Sequence, residues 1–246
     1  MKRILSVSNL KKNYHTKTEE IYALDSINFD VFEGEFVSIV GPSGCGKSTI
    51  LSILSGLINK SDGTISVFNN YKFAYMLQED SLLPYYNVLD NCLLGLRIRN
   101  SLNNNTRKYV IELLKKYGLS DFIYKYPDNL SGGMRQRCAL IRTLAIKPDI
   151  LLLDEAMSAL DYNTRLNIGD DLYRIIKEEG KTAIMVTHDI SEAISMSDRI
   201  IVLTKRPGKI KNIYKIELDN PSTPIKNRQD KKFIKYFDLI WRDLNE

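Results

Sequence analysis

A glycine-rich segment near the start of the chain has residue types that can hold phosphate groups. Its first eight residues match the pattern G-x-x-x-x-G-K-[ST]. Glycines let backbone N–H groups surround an anion, and the dipole of a helix that follows attracts negative charge. In this pattern Lys47 would meet the charge of the β- and γ-phosphates, and Ser48 would ligate Mg²⁺. The candidate phosphate-binding residues are Gly41, Pro42, Ser43, Gly44, Cys45, Gly46, Lys47, Ser48 and Thr49.

The residues on either side predict the elements that would position this segment. Phe36 to Val40 form a continuous apolar run, which is typical of a strand buried on both faces of a parallel sheet. From Ser48 to Leu57 apolar residues recur at helical spacing. A strand, a glycine loop and a helix in this order favour a phosphate site over the alternative of a plain structural turn.

A second apolar run, Ile150 to Leu153, ends in two carboxylates, Asp154 and Glu155. Asp154 could hold Mg²⁺ through water, and Glu155 could polarise a water molecule that attacks a phosphate. The alternative is an acidic pair that only caps the end of a strand. Ala183 to Val186 is a further apolar run with polar residues after it, and ligands of open α/β sheets bind at this edge.

A second helix start follows Leu130, where Ser131, Gly132 and Gly133 precede a run with helical spacing. A hydroxyl and two glycines at this place would offer free N–H groups to an anion. The same residues are equally typical of an ordinary helix N-cap, so the residues alone leave both interpretations open.

The rest of the chain supplies three further elements. Ile4 to Val7, together with alternating apolar residues from Ile27 to Val31, predicts a small β layer. Residues 78 to 148 are mostly helical in pattern, with an asparagine-rich loop at Asn103 to Asn105. Near the C-terminus an amphipathic helix is predicted, which we expect to pack on its own domain, with a partner contact as the alternative. Its apolar residues are Phe233, Phe237, Ile240 and Leu244.

Net charge, cysteine spacing and the length of the apolar runs limit the classes of protein to which this chain could belong. The 246 residues carry a formal charge of +5 from dispersed Lys and Arg residues, so nucleic-acid binding has weak support. Three cysteines without paired spacing favour a reducing compartment over a disulfide framework or a zinc site. No apolar run approaches the length of a membrane span or of a signal-peptide core. We therefore expect a cytosolic or membrane-peripheral protein.

The motifs together resemble the nucleotide-binding subunit of ABC transporters. The likeness rests on three features: the glycine loop, which has the sequence of a P-loop; the segment L-S-G-G-x-R-Q-R at Leu130 to Arg137; and the acidic strand end at Asp154 and Glu155. It covers about Leu5 to Ile210. It implies an ATPase that uses ATP and Mg²⁺, forms a homodimer and sandwiches each ATP between the P-loop of one subunit and the L-S-G-G segment of the other. It also implies a separate transmembrane permease, indirectly an extracellular solute-binding protein, and a place on the cytoplasmic face of the membrane.

The resemblance assigns roles to further residues. Tyr14 matches the aromatic that stacks on adenine, Gln78 the glutamine that reaches Mg²⁺ and the attacking water, and His188 the histidine that contacts the γ-phosphate. Ser158 to Asp161 match a loop that contacts the second subunit. Tyr14, Gln78 and His188 each have a plainer interpretation. Tyr14 could be a surface aromatic, Gln78 a loop amide, and His188 a histidine whose hydrogen bonds are satisfied at a strand end. Ala156 stands where the family usually has proline, a change that removes no chemical group.

A narrower likeness concerns the solute. Ser158 to Arg165, Val186 to Ile194 and Lys205 to Ile210 resemble importers of nitrate, sulfonate and taurine, and thiamine-precursor importers share the pattern. We expect the permease to contact Leu82 to Tyr86, with burial of these residues in a helical core as the equal alternative. The rival functions are a soluble ABC-type ATPase acting on nucleic acid or ribosomes, and a nucleotide-binding regulator that does not hydrolyse.

The predicted fold is therefore α/β: a P-loop NTPase core with a mostly parallel sheet, an N-terminal antiparallel β layer and an inserted helical subdomain. We predict an ATPase domain over residues 1–210, with its helical subdomain at about 78–148. Residues 211–246 would form a C-terminal extension that carries the amphipathic helix.

Overall fold

Two sheets organise the chain in the computed structural model, which describes residues 2–15, 19–158 and 160–246. The strands are β1 (Arg3–His15), β2 (Glu20–Phe32), β3 (Phe36–Val40), β4 (Asp62–Val67), β5 (Phe73–Met76), β6 (Ile150–Asp154), β7 (Thr182–Val186), β8 (Arg199–Leu203) and β9 (Ile210–Lys215). The α-helices are α1 (Lys47–Leu54), α2 (Val88–Ile98), α3 (Asn104–Lys116), α4 (Gly132–Ala145), α5 (Tyr162–Glu178), α6 (Ile190–Met196), α7 (Pro224–Asn227) and α8 (Lys231–Asn245).

The larger sheet has the strand order β5-β6-β7-β3-β8-β9. All its neighbouring strands are parallel except β8 and β9, which pair antiparallel. Every residue of β3, β6 and β7 is buried, as expected for parallel strands covered on both faces. The carboxyl ends of these three strands therefore meet at one edge, where the sequence predicted the phosphate site.

Successive side chains of the central strands enter two different cores, because a strand alternates between the faces of its sheet. Val37 and Ile39 pack with Ile50 of α1 and with the small sheet. Phe36 packs on the opposite face, in a core that contains residues of α4 and α5. Helix α1 ends at Leu54, short of the predicted Leu57, because Gly56 adopts a left-handed conformation with φ of 78°.

The small antiparallel sheet has the order β2-β1-β4. Its first two strands have 13 residues each and are much longer than the apolar patterns predicted. After Leu10 no residue of β1 is fully buried, so this half of the strand pairs with β2 without producing an alternation that can be recognised in the sequence. The predicted mixed architecture is confirmed, including the antiparallel layer.

Helices α2, α3 and α4 lie between β5 and β6 in sequence and share a core with the sheet. The predicted asparagine-rich loop is wrong for its last two residues, because α3 begins at Asn104. Asn103 caps this helix, and its side-chain oxygen accepts from the backbone N–H groups of Asn105 and Thr106. The residues predicted to contact the permease or to be buried in a helical core are not all alike. Leu82 packs against the helical core, whereas Tyr85 is exposed.

The amphipathic helix α8 packs on its own chain. Phe233 and Ile240 are buried in a cluster that also contains Val40, at the end of β3, and residues of α6 and β8. Asp243 fastens the end of the helix to β9, since its carboxylate accepts from Asn212 Nδ2 and from Tyr214 Oη at 2.6 Å. Among the described residues no helix combines the length and the apolar character that crossing a membrane requires.

Candidate functional site

The glycine loop connects β3 to α1 and depends on glycines that no other residue could replace without strain. Gly44 and Gly46 have φ of 71° and 106°, values that favour glycine. A Cβ on Gly46 would lie 2.5 Å from Leu24 Cδ2. Gly46 is also the N-cap residue of α1, and no side chain caps this helix. The first N–H groups of α1 are therefore available to an anion.

Lys47 is buried beside the loop, and its Nζ donates to Gly41 O at 2.8 Å and to Pro42 O at 3.0 Å. The side chain of Cys45 is buried, and burial raises the pKa of its thiol. The thiol is therefore kept in its neutral form, and the backbone N–H of Cys45 donates to Pro42 O at 3.3 Å.

Asp154 lies at the end of β6 and is buried, and both of its carboxylate oxygens accept hydrogen bonds. Ser48 Oγ donates to Oδ1 at 2.8 Å, and Tyr75 Oη donates to Oδ2 at 2.6 Å. Burial, followed by the hydrogen bond to Asp154, raises the pKa of Tyr75, so this hydroxyl remains a donor. Sequence reasoning missed Tyr75; the available signal was a tyrosine in a short apolar segment, whose hydroxyl needs a partner where it is partly buried.

Glu155 follows Asp154 and has a left-handed backbone, with φ of 45°. Its N–H donates to Val186 O at 2.9 Å, which ties the end of β6 to the end of β7. The Glu155 carboxylate lies 3.3 Å from His188 Nδ1 and accepts from Gln78 Nε2 at 3.4 Å. Three side chains that are far apart in the sequence thus meet around one carboxylate oxygen.

These groups surround a cavity of about 530 Å³. Tyr14 also lines this cavity. Its Oη lies 3.5 Å from Thr49 Oγ1, and Lys12 Nζ lies 4.8 Å from the centre of its ring. Half of the predicted site residues line the cavity, together with Ile21, Ala23 and Arg206, which the sequence did not assign to the site. The predicted residues Gly41, Pro42, Cys45, Gln78 and Asp154 do not line it. Its lining is Tyr14, Ile21, Ala23, Ser43, Gly44, Gly46, Lys47, Ser48, Thr49, Glu155, His188 and Arg206.

Helix α4 begins outside this cavity. Ser131 is exposed, and its Oγ accepts from Met134 N at 3.3 Å as an ordinary N-cap. Gly133 is needed for packing, because a Cβ there would lie 2.6 Å from Ile168 Cδ1 of α5; a Cβ on Gly132 would lie 3.1 Å from Leu160 Cδ2. Within one chain, Ser131 and the two glycines therefore do not reach the loop at Gly41 to Thr49.

The predicted contact loop before α5 is also outside the cavity. Asp161 is exposed and caps α5 by accepting from Thr164 N at 3.1 Å. Hydrogen bonding from Thr164 lowers the pKa of the Asp161 carboxyl, so Asp161 is charged at neutral pH. Ala159, in the middle of this loop, lies outside the described residues.

The donor set near Ser48 suits Mg²⁺. A serine hydroxyl and a carboxylate are oxygen ligands, and Mg²⁺ in nucleotide sites is held by one or two such groups together with substrate phosphates. In the described ranges no three His, Cys, Asp or Glu side chains gather into a metal site of their own. The protein thus offers a cation here a small number of hard oxygen ligands, which is the type of ligand that Mg²⁺ prefers.

The chain is similar along most of its length to known proteins of one family. A family model described as ABC transporter matches residues 24–158. The chain is 43% identical over 248 residues to the uncharacterized ABC transporter ATP-binding protein YtlC of Bacillus subtilis (strain 168), covering 98% of this chain and 95% of that protein. It is 36% identical over 223 residues to the aliphatic sulfonates import ATP-binding protein SsuB of Bacillus cereus (strain ZK / E33L), covering 88% of each.

A solved structure has the same fold. It is the dimeric post-hydrolysis state of the ATP-binding cassette MJ0796 bound to ADP and Pi, with a TM-score of 0.74 and 34% identity, covering 87% of this chain and 99% of that one. The residues matched by the family model include the glycine loop, Asp154 and Glu155. The chain therefore belongs to the ABC transporter family and is one of its ATP-binding, ATP-hydrolysing subunits.

Proposed function

We propose that this subunit works as a homodimer that binds two Mg²⁺-ATP between its copies and drives the import of a small solute through a separate permease. The observation that carries the proposal is the division of the predicted site. The P-loop and the Glu155 cluster share one cavity, whereas Ser131 and Asp161 are exposed outside it. A second copy would bring the missing half.

The chemistry follows from the positions of the side chains. ATP would place its phosphates against the N–H groups of the loop and the start of α1, beside the Lys47 ammonium. The Glu155 carboxylate would accept a proton from the water that attacks the γ-phosphorus in line, while Gln78 and His188 hold that carboxylate in place. Tyr14 would stack on the adenine.

Mg²⁺, when bound, neutralises charge on the β- and γ-phosphates. Ser48 and Asp154 would hold it, and Gln78, which donates to Glu155, is proposed as a further ligand. Tyr75 fixes the carboxylate of Asp154 by occupying its second oxygen. The hydroxyl of Ser48 would exchange its hydrogen bond with Asp154 for the cation.

A complementation experiment tests the shared site. Lys47→Ala disables the loop and Ser131→Arg blocks the start of α4, so each variant alone should hydrolyse almost no ATP. Mixed dimers have one site with both defects and one with neither, so mixing should restore phosphate release well above either variant alone. Circular dichroism checks that both variants fold. If mixing restores nothing, the site is not shared between two copies.

The permease is proposed to dock in an apolar groove of about 490 Å³ beside α2 and α4. Exposed apolar side chains of Leu57, Leu77 and Ile98 border it, and Arg99 and Arg142 add positive charge. A short helical or loop segment with apolar residues and an acidic group would fit this surface. The relatives that match along most of the chain support a transporter over the rival ATPase that acts on nucleic acid or ribosomes.

Two isoleucines provide a matched test of docking. Ile98 borders the groove, whereas Ile234 is similarly exposed on α8, at 73% and 68%, and does not line the groove. Co-expression with a candidate permease, sought among the neighbouring genes, should yield a complex that Ile98→Glu disrupts and Ile234→Glu leaves intact, while ATP binding by the isolated subunit stays unchanged. Loss of the complex with both variants, or with neither, contradicts this docking site.

The solute is proposed to be a small organic or inorganic molecule of the nitrate, sulfonate, taurine or thiamine-precursor type. An extracellular solute-binding protein would deliver it to the permease. The likeness to the sulfonate importer supports this class. The test is to seek a candidate solute-binding protein among the neighbouring genes and to titrate it by calorimetry with representatives of each class. Binding of none of them would reject the proposed class while leaving the ATPase assignment intact.

A further inference from the structure

The loop between β8 and β9 brings an unpaired cation to the nucleotide cavity. Residues 204–209 include Lys205, Arg206 and Lys209. Lys209 Nζ lies 3.0 Å from Asp25 Oδ2, so its charge is paired. Arg206 lines the cavity, and across the described ranges its guanidinium has neither a hydrogen bond nor an ion pair. A guanidinium without a partner at the wall of an anion site is available to a ligand.

The backbone of this loop is held firmly. Thr204 closes the turn: its N–H donates to Lys209 O at 2.9 Å, and its Oγ1 accepts from Lys209 N at 3.0 Å. Gly208 fastens the turn to β2, donating to Ala23 O at 2.9 Å and accepting from Asp25 N at 3.0 Å. Arg206 therefore extends from a fixed backbone and has little loop entropy to lose when it binds.

The same loop touches the glycine loop directly. A Cβ on Gly208 would lie 2.2 Å from Cys45 O, and a Cβ on Gly44 would lie 3.7 Å from Arg206 Nη2. The guanidinium is thus next to the backbone whose N–H groups would surround the phosphates. Lys47, the cation of the motif, is buried beneath the loop, whereas Arg206 approaches it from the exposed side.

We propose that Arg206 is a second phosphate-binding cation of the nucleotide site, supplied by the β8–β9 loop. This rests on the proposed function of the cavity and adds a residue to it. The planar guanidinium would donate two parallel N–H bonds to oxygens of one phosphate. Contact with phosphate is favoured over stacking on the base, because the neighbour of Arg206 in the cavity is Gly44 of the phosphate loop.

Nucleotide affinity without turnover tests the proposal. Dissociation constants are measured by calorimetry in buffer with EDTA, for ATP and for CTP, which has the same phosphates but a smaller base. Arg206→Ala should weaken both ligands by the same factor, about five- to tenfold, and Arg206→Lys should restore part of the loss. Lys205→Ala is the matched control, since Lys205 is the adjacent exposed cation but lines a different cavity, beside Lys211 and Asp243. Its affinities should equal those of the wild type.

The outcomes separate the proposal from the site on which it rests. Unchanged affinity in Arg206→Ala overturns the proposal, as does an equal loss in Lys205→Ala, which would indicate only a general effect of charge. A loss for ATP that exceeds the loss for CTP assigns Arg206 to the base instead of the phosphates. If the wild type binds ATP and Lys47→Ala does not, the nucleotide site stands whatever Arg206 does.

Discussion

The two helix starts that the sequence identified, at α1 and at α4, differ in how their free N–H groups are satisfied. Helix α1 begins at the left-handed Gly46 without any side-chain cap, and its first turn faces the cavity. Helix α4 is capped by its own Ser131 and starts on the exposed surface. The first is built to receive a ligand within the chain, and the second is complete until another molecule approaches it.

Their surroundings differ as well. Three fully buried strands support the glycine loop and α1, so the position of the proposed phosphate-binding half is fixed by the core. The start of α4 is held by close packing of Gly133 on α5 and of Gly132 on Leu160. A composite site would thus join the glycine loop and α1, which the sheet holds in place, to the start of α4, which lies on the surface of the helical layer.

The largest expected effect comes from the residue that would act only when both halves meet. Glu155→Gln should lower turnover by a factor on the order of 10² to 10⁴, because the amide cannot take a proton from water. ATP binding should remain, and the dimer should persist with ATP bound. Phosphate release and size-exclusion chromatography with ATP measure these results. Hydrolysis at the wild-type rate would remove Glu155 from the role of base.

A matched pair of serines compares the two helix starts directly. Ser48→Ala should lower the affinity for Mg²⁺-ATP about tenfold, because an oxygen ligand is lost from the loop side. Ser131→Ala should leave ATP affinity of the monomer unchanged but lower turnover at saturating ATP by a similar factor. Its missing cap should also cost about 1 kcal/mol of folding stability. Identical profiles of affinity and turnover in both variants would argue against two distinct halves.

A matched pair of glycines tests how each half is supported. Gly208→Ala would drive a Cβ against the backbone oxygen of Cys45, whereas Gly133→Ala meets the flexible end of Ile168. We expect Gly208→Ala to cost about 1–3 kcal/mol and to weaken ATP binding, and Gly133→Ala to cost less and to leave ATP binding intact. Thermal unfolding and nucleotide titration measure both. A larger cost for Gly133→Ala would reverse this comparison.

The smallest expected effect is that of Tyr75→Phe, which removes one hydroxyl beside Asp154. The carboxylate keeps its charge and its contact with Ser48, so the Mg²⁺ concentration needed for half-maximal hydrolysis should rise only a few-fold. Affinity for ATP without metal should not change. Tyr71→Phe is a control, because its hydroxyl contacts Lys2 and Glu33 far from Asp154. Equal effects of the two changes would remove Tyr75 from the site.

The sequence predicted the parts of the fold that have strong local signals. Buried parallel strands such as Phe36 to Val40 are continuous apolar runs, and the glycines of the P-loop are required by the left-handed backbone at Gly44 and Gly46. The polar half of β1 was missed because pairing with β2 needs no buried side chains there. Tyr75 contacts Asp154 and Arg206 lines the cavity, but the sequence assigned neither residue to the site. Both lie far in sequence from the residues they approach there, and a local pattern does not show which distant residues meet in the fold.

The cover over Val40 has a consequence for how the protein is made. Val40 immediately precedes the glycine loop, yet the cluster that buries it includes Phe233 and Ile240. During synthesis β3 leaves the ribosome well before α8, so this apolar surface is not fully covered until α8 has emerged. The support of the glycine loop is therefore completed only after α8 has been synthesised.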